Sequence, residues 1–459
     1  MGGKNMKIFW LRPPHDRLLF DNRALLVMIL PMVAELFLNM TVGLADSIMV
    51  AAVGESAVSG VSLMDNIFLL ILMIFSALST GGSVVAGQYI GHRDGKMAQK
   101  SATELVWSNI LLGCIVTVIL FIFRGFILNV VFGRIEPEVY EAASTYFLIV
   151  NLSVPFMAMY NSAAAIFRCT GNTKLITLDA LLMGILNIAG NAVGVFVLNA
   201  GVAGVAVPTL VSRAFGGILM LGLLLRPQNL LTIDHTWRHH FDLALIGKNL
   251  SIGIPNGLEN GIFQIGKIVL LSLVSTFGTV SITANAVTGA IVSIQCIPGN
   301  VLGMAMMTVV AQSVGAGDYP QAKYYTRKLM TLAYVFFTAW ALVMWLLLPV
   351  ILHIYQLSPE TTALTQTIAT MHIFTSIAIW APAFILPNTL RAAGDVKYPM
   401  TVSILSMCLV RIVFAYILSL YFHMGVIGTW VAMFFDWGVR AVLFIVRYLH
   451  GKWMNYRVV

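Results

Sequence analysis

Residues 30–50 read LPMVAELFLNMTVGLADSIMV, a run apolar enough to span a membrane that nevertheless holds Pro31, Glu35 and Asp46. On an α-helix Glu35 and Asp46 fall within about 20° of one face, roughly 16 Å apart along the axis. That face cannot meet lipid. An intramembrane carboxylate costs on the order of 2.5–3.5 kcal/mol even on the lenient insertion scale, and such residues line aqueous cavities or proton pathways. Pro31 has no N–H to close the helical ladder and its ring crowds the preceding turn, which marks a hinge one turn from Glu35. The stretch therefore predicts a transport helix with a built-in flex point.

Composition extends that reading to the whole chain. It has 459 residues, 59% hydrophobic and only 10% charged, with a mean hydropathy of +0.88, as expected of an all-α polytopic membrane protein. Cys114, Cys169, Cys296 and Cys408 lie in or beside apolar runs without paired spacing, so neither a disulfide framework nor a zinc site is expected. The first 23 residues are polar and basic and carry no cleavable signal pattern. The net charge of +8 does not imply nucleic acid, because basic residues in such proteins gather in cytoplasmic loops.

Twelve apolar segments are long enough to span, beginning near residues 24, 57, 101, 138, 175, 202, 247, 281, 325, 363, 398 and 425. Alternate connections carry the lysines and arginines, among them Arg93, Lys96, Arg168, Lys174, Arg391 and Lys397, whereas the opposite connections hold only Arg124 and Arg134. The positive-inside rule then puts both termini in the cytoplasm. An internal repeat fixes the plan. Pro31 and Glu35 recur as Pro255 and Glu259, Gln88, Gly91, Asp94 and Ala98 as Gln312, Gly315, Asp318 and Ala322, and Gly201 and Gly204 as Gly425 and Gly428, each 224 residues on. Arg168, Gly171 and Lys174 recur as Arg391, Gly394 and Lys397 at 223, read as a single-residue slip in a loop. Six helices per half make the repeats parallel, with a substrate site expected between them near the midplane. The expected divisions are a cytoplasmic segment 1–23, an N-lobe 24–226, a cytoplasmic linker 227–246, a C-lobe 247–449 and a cytoplasmic tail 450–459.

Enzyme signatures fail. His-Glu-x-x-His and Gly-x-Ser-x-Gly are absent, and Gly91-His-Arg-Asp-Gly-Lys96 is one residue short of a phosphate-binding loop. His235 and His239 have i, i+4 spacing, but with no further Cys or Glu ligand nearby the linker reads as an interfacial amphipathic segment rather than a metal site. No cofactor is expected, and no enzyme activity.

The chain resembles the multidrug and toxic compound extrusion (MATE) transporters of the prokaryotic type nearly end to end. The resemblance rests on the doubled twelve-helix plan, the Gly-Leu-Ala-Asp-Ser-Ile-Met-Val run around Asp46, the Gln88-Tyr-Ile-Gly loop, and the paired loops Arg168-Cys-Thr-Gly-Asn and Arg391-Ala-Ala-Gly-Asp. It implies a V-shaped, two-lobed antiporter that exports small organic compounds against inward H+ or Na+ in a cell membrane, expected to be the bacterial inner membrane, and a monomer. It also implies that Asp46 is the coupling acid, with Asn161, Asn187, Asn191 and Thr209 as polar partners, and that Na+, if it is the ion, meets Asp46, Asn187 and Asn191. The fifth-helix pair is often Asn followed by Asp; here the second position is Asn191, one acid fewer.

Physical chemistry gives that set a second rationale. Asn187 and Asn191 are one turn apart, and amide and hydroxyl oxygens can coordinate a small cation or accept from a protonated acid, although Asn and Thr also tie helices together in membranes. The second half does not copy Asp46: its register partner is Leu270, and the family's usual helix-seven acid aligns near Phe263, with Glu259 one turn earlier. Glu259, Phe263 and Lys267 share a face, which allows an internal Glu259–Lys267 balance. Arg411, Asp436 and Arg440 read either as a structural ion-pair network or as substrate contacts. Glu35, Glu259, Phe263, Lys267, Asp65, Arg411 and Asp436 are accordingly the expected cavity residues, mixed in sign. The alternative to an exporter is a flippase for a lipid-linked precursor on a related fold.

Overall fold

The computed structural model describes residues 14, 18–131, 136–234, 241–456 and 458–459. The histidine cluster of the linker, His235, His239 and His240, lies outside the described residues. Among those described there is no strand, and the spans are Asn22–Val53, Glu55–Gly91, Gly95–Ile122, Pro137–Cys169, Thr173–Val197, Ala203–Leu224, Leu243–Ser275, Thr279–Gly315, Tyr319–Tyr355, Pro359–Ala392, Lys397–Tyr421 and Gly425–Leu449, called helices one to twelve below. Two of them are broken at proline. Helix four bends by 50° between Asn151 and Val154, where Pro155 follows, and helix eight is interrupted at Cys296 ahead of Pro298.

The distribution of polarity is that of a membrane protein. Ile48, Ile122 and Leu346 stand outward with 70, 71 and 68% of their surface exposed, while Glu35, Asn191 and Asp436 are buried. Apolar surface outside and polar groups inside is the inverse of a soluble domain, and it leaves backbone groups to be satisfied within each helix and buried polar side chains by neighbouring helices.

Helices three and nine begin about six residues before the expected positions, both for one reason. Asp94 accepts from the Met97 N–H at 3.0 Å and Asp318 from the Gln321 N–H at 2.9 Å, so a side-chain cap starts each helix inside a polar first turn that hydropathy alone passes over. The turns before these caps also match: the Asp94 N–H donates to Tyr89 O and the Asp318 N–H to Ser313 O, each at 3.0 Å. Gly317 supplies the positive φ that this helix end requires, at 71°, whereas the first half uses Arg93, at 61°.

The slip in the repeat is not confined to a loop. The offset is 224 at Asp318, 223 from Arg391 to Lys397 and 224 again at Gly425, so the second half carries an extra residue within helix eleven. There the helix runs as a π segment over Ser406–Ile412, which the all-α stretch Thr173–Ala192 of helix five does not have, while the later π segments Val193–Val197 and Ile417–Tyr421 do correspond.

The chain forms two compact units. One comprises Asn22–Gly257, the other Leu258–Val459 with the described residues before Asn22. In the first, helix one closes on helix five through Gly184, where a Cβ would stand 2.7 Å from Val42 Cγ2. Near Pro31 the Thr173 and Thr177 hydroxyls of helix five donate to the Met28 and Pro31 carbonyls at 2.8 and 2.7 Å. Helix one runs through Pro31 as a single element. In the second unit, the Leu19 N–H donates to Gln321 Oε1 at 2.7 Å, and Phe20 exchanges hydrogen bonds with the Tyr325 hydroxyl at 2.7 and 2.9 Å.

Candidate functional site in the first unit

Within Asn22–Gly257 a cavity of about 510 Å³ opens between helices one, two, four, five and six. Its polar wall includes Asp46, Asp65, Tyr146, Asn187, Thr209 and Arg213. A chain of hydrogen bonds runs along one side: Asn191 Nδ2 donates to Asp46 Oδ1 at 2.7 Å and also lies 3.3 Å from Asn187 Oδ1, Asn187 Nδ2 donates to Thr209 Oγ1 at 3.2 Å, and Thr209 donates to its own helix at Val205 O, 2.9 Å. Four of the five residues expected around the coupling ion thus meet. The fifth does not: Asn161 turns its amide to Met157 O at 2.8 Å, and it is Met157 and Tyr160 of helix four that line the cavity. One residue along a helix rotates a side chain by about 100°, enough to exchange Tyr160 for Asn161.

Asn191 Oδ1 is buried without a partner. An amide oxygen left open beside a carboxylate is what a small cation, or a proton on that carboxylate, would satisfy, so the donor set fits either coupling ion. Asp65 is not in that chain; it accepts from the Tyr146 hydroxyl at 3.0 Å. Arg213, which donates to Ser153 Oγ at 3.1 Å, is a wall residue that the sequence reading passed over, though an arginine amid the apolar run of helix six is itself a signal of function.

Glu35 and Glu259 are both buried and both held by arginines in the last turns of helices four and ten. Arg168 Nη2 donates to Glu35 Oε1, and Arg391 Nη2 reaches both oxygens of Glu259 at 2.7 Å while its Nη1 donates to Asn388 Oδ1 at 3.0 Å. Glu259 therefore balances Arg391 rather than Lys267. Lys267 instead sits with Nζ 5.2 Å from the Phe263 ring centroid, a ring that also carries Arg411 and Arg440, and Arg440 Nε pairs with Asp436 Oδ1 at 2.8 Å.

Comparison with known proteins bears on the whole chain. The MatE family model matches residues 31–193 and again 255–417, reproducing the offset of 224. The uncharacterized transporter YisQ of Bacillus subtilis is 24% identical over 93% of both chains, and the probable multidrug resistance protein NorM of Thermotoga maritima is 23% identical over 94% of this chain and 93% of its own. A crystal structure of MATE in complex with MaL6 superposes with a TM-score of 0.86 at 19% identity, covering 94% of this chain and 95% of that one. With the family model repeated across both halves of a helical membrane protein, the chain belongs to the MatE family of multidrug efflux transporters, which are not enzymes.

Proposed function

We propose that this chain exports small organic compounds by exchange for inward H+ or Na+, through two conformations that open its cavity alternately to either side of the membrane. The observation that carries this is the Asp46–Asn191–Asn187–Thr209 chain in a membrane cavity, with Asn191 Oδ1 left open beside the acid. Ionised, Asp46 accepts from Asn191 and can hold Na+ or a cationic group together with the amide oxygens. Protonated, it donates instead, and rotation of the Asn191 amide presents the oxygen that receives that proton. A single group that alternates between these states lets ion and substrate favour different conformations, which exchange requires. Pro31 acts as the hinge, because the helical ladder is already open there and helix-five hydroxyls stand at the neighbouring carbonyls.

The loop charges orient both termini to the cytoplasm, in a bacterial inner membrane, and the transporter works as a monomer. The test is efflux from proteoliposomes under separately imposed Na+ and H+ gradients, with cationic, neutral and anionic amphiphiles as substrates. Efflux that follows one gradient and stops when it collapses supports exchange. Flux indifferent to both gradients contradicts it, and translocation restricted to lipid-linked compounds would point to a flippase.

A further inference from the structure

The first-unit cavity is lined by Asn39, Gly43, Asn187 and Ser212. Adding the repeat offset of 224 leads to Phe263, Lys267, Arg411 and Asp436, and Gly216 of helix six leads to Arg440. The second half thus places one compact cluster at the register of the first-half cavity. Lys267 Nζ, Arg411 Cζ and Arg440 Cζ lie 5.2, 5.3 and 5.1 Å from the centroid of the Phe263 ring. Three cations on one ring, inside membrane-spanning helices, face a single carboxylate.

That carboxylate is engaged through one oxygen only, its Oδ2 being buried with no hydrogen-bond partner. Asp436 Oδ1 accepts from Arg440 Nε at 2.8 Å and from the Ser406 hydroxyl, and Arg440 Nη2 donates to Ser403 O at 3.0 Å. Glu259, one turn from Phe263, is committed to Arg391. Arg411 is left over: its Nε and Nη1 are buried with no hydrogen-bond partner, and only 8% of the residue is exposed. Buried charged donors without a partner are costly, and a ring quadrupole offsets only part of that cost. A purely structural network would pair its charges, as Arg391 and Glu259 do. Here two positive charges remain, and Lys267 brings one of them to the exposed surface of the unit. The π segment Ser406–Ile412, absent from helix five, carries both Ser406 and Arg411 into this position. π segments of this kind concentrate at functional sites.

We propose that Lys267, Arg411 and Arg440 around Phe263 form an anion site, and that the compounds this transporter handles include amphiphiles with a carboxylate, sulfonate or phosphate group. The proposal rests on the transport reading above and names a substrate class for it. Phe263 and Ile412, only partly buried over the Leu270, Leu273 and Met407 core, supply the apolar surface for the body of such a molecule. The same head-group chemistry occurs in soluble organic anions and in anionic phospholipids.

Equilibrium dialysis of the full chain in phosphatidylcholine nanodiscs, with empty discs subtracted, would compare naphthalene-2-sulfonate, 2-naphthylmethylammonium and 2-naphthylmethanol. The expected result is sulfonate binding about tenfold tighter than either of the others, reduced to the level of the neutral probe by Arg411→Gln and partly kept by Arg411→Lys. Lys267→Gln, at an exposed position where folding is not at stake, should weaken sulfonate binding about fivefold without moving the melting temperature. Adding phosphatidylglycerol to the discs separates the sources: displacement of the sulfonate assigns the site to lipid head groups, retention assigns it to soluble anions, and either supports an anion site. Equal binding of the three probes, or sulfonate binding unchanged in Lys267→Gln, overturns it. Because no gradient is present, this result stands or falls separately from gradient-driven transport.

Discussion

The two units are written on one register yet hold opposite chemistry. Where the first has Asp46 with amides and a hydroxyl, the second has Leu270, and where the first has Asn39, Gly43, Asn187 and Gly216, the second has Phe263, Lys267, Arg411 and Arg440. The scaffold is shared down to the Asp94 and Asp318 caps and the Glu35–Arg168 and Glu259–Arg391 pairs. What differs is the set of side chains facing inward and one extra residue taken up as a π segment. The two halves share the parts that fold and differ in the parts proposed to bind, one for the ion and the other for the cargo.

The sharpest way to break this division is at its acids. Asp46→Asn should insert and fold yet reduce gradient-driven efflux about a hundredfold, as expected when the coupling charge is fixed in its neutral form. Asp65→Asn, whose carboxylate serves the Tyr146 hydroxyl instead, should lose less than about tenfold. Equal losses in efflux assays, with expression matched, would place coupling on the pair rather than on Asp46.

The shared pairs should behave alike and differ only in degree. Removing one partner of a buried ion pair costs roughly 3–5 kcal/mol, so Arg391→Met should strongly lower the melting temperature in detergent. Arg168→Met should cost less, because the Arg168 side chain is 24% exposed against 11% for Arg391. The double variant Glu259→Gln, Arg391→Met should recover part of the loss; no recovery would make the pair's geometry, rather than its charge, the stabilising feature.

Pro31 and its counterpart Pro255 test whether the hinge belongs to one half. Pro31→Ala should slow efflux several-fold, on the order of 1 kcal/mol in the barrier, while leaving the melting temperature unchanged or higher, since alanine restores a helical donor. Normal efflux by Pro31→Ala would reduce the proline to a packing residue.

The smallest effect lies where helix seven begins. Asp242 accepts from Lys100 Nζ at 2.6 Å, and that ammonium holds its carboxyl below the usual range. A depressed acid stabilises the fold above its unfolded pKa, near 4, and loses that contribution as pH falls through the folded value. The wild type should therefore melt slightly above Asp242→Asn at pH 7, with the difference shrinking as pH falls below about 4. The equivalent tie in the second unit, Leu19 and Phe20 on Gln321 and Tyr325, uses uncharged groups and should show no such dependence.

Much of the fold was legible because membrane burial and duplication both leave periodic traces: the spans followed from hydropathy and the halves from a constant offset. Helix starts at Gly95 and Tyr319 were missed because a capping aspartate outweighs hydropathy in a polar first turn. The change of offset was visible, but its second step was invisible as a π segment, since a helix absorbs one residue without any change in composition. At the site, Asp46, Asn187, Asn191 and Thr209 were gathered by family resemblance, and Asn161 was misdirected by a single helical step. The Glu35–Arg168 and Glu259–Arg391 pairs span some 130 residues each, yet acids and arginines that recur together were a signal that they belong to each other.

The central claim, that one carboxylate couples ion to cargo, is tested most directly by running the exchange in reverse. Proteoliposomes loaded with Na+ and an internal pH indicator would be given an inward gradient of a transported amphiphile, and release of Na+ and internal alkalinisation would be followed together. The account predicts that wild-type protein expels one of the two ions as the amphiphile enters, and that Asp46→Asn, inserted to the same level, expels neither. Ion release by Asp46→Asn at the wild-type rate would contradict it.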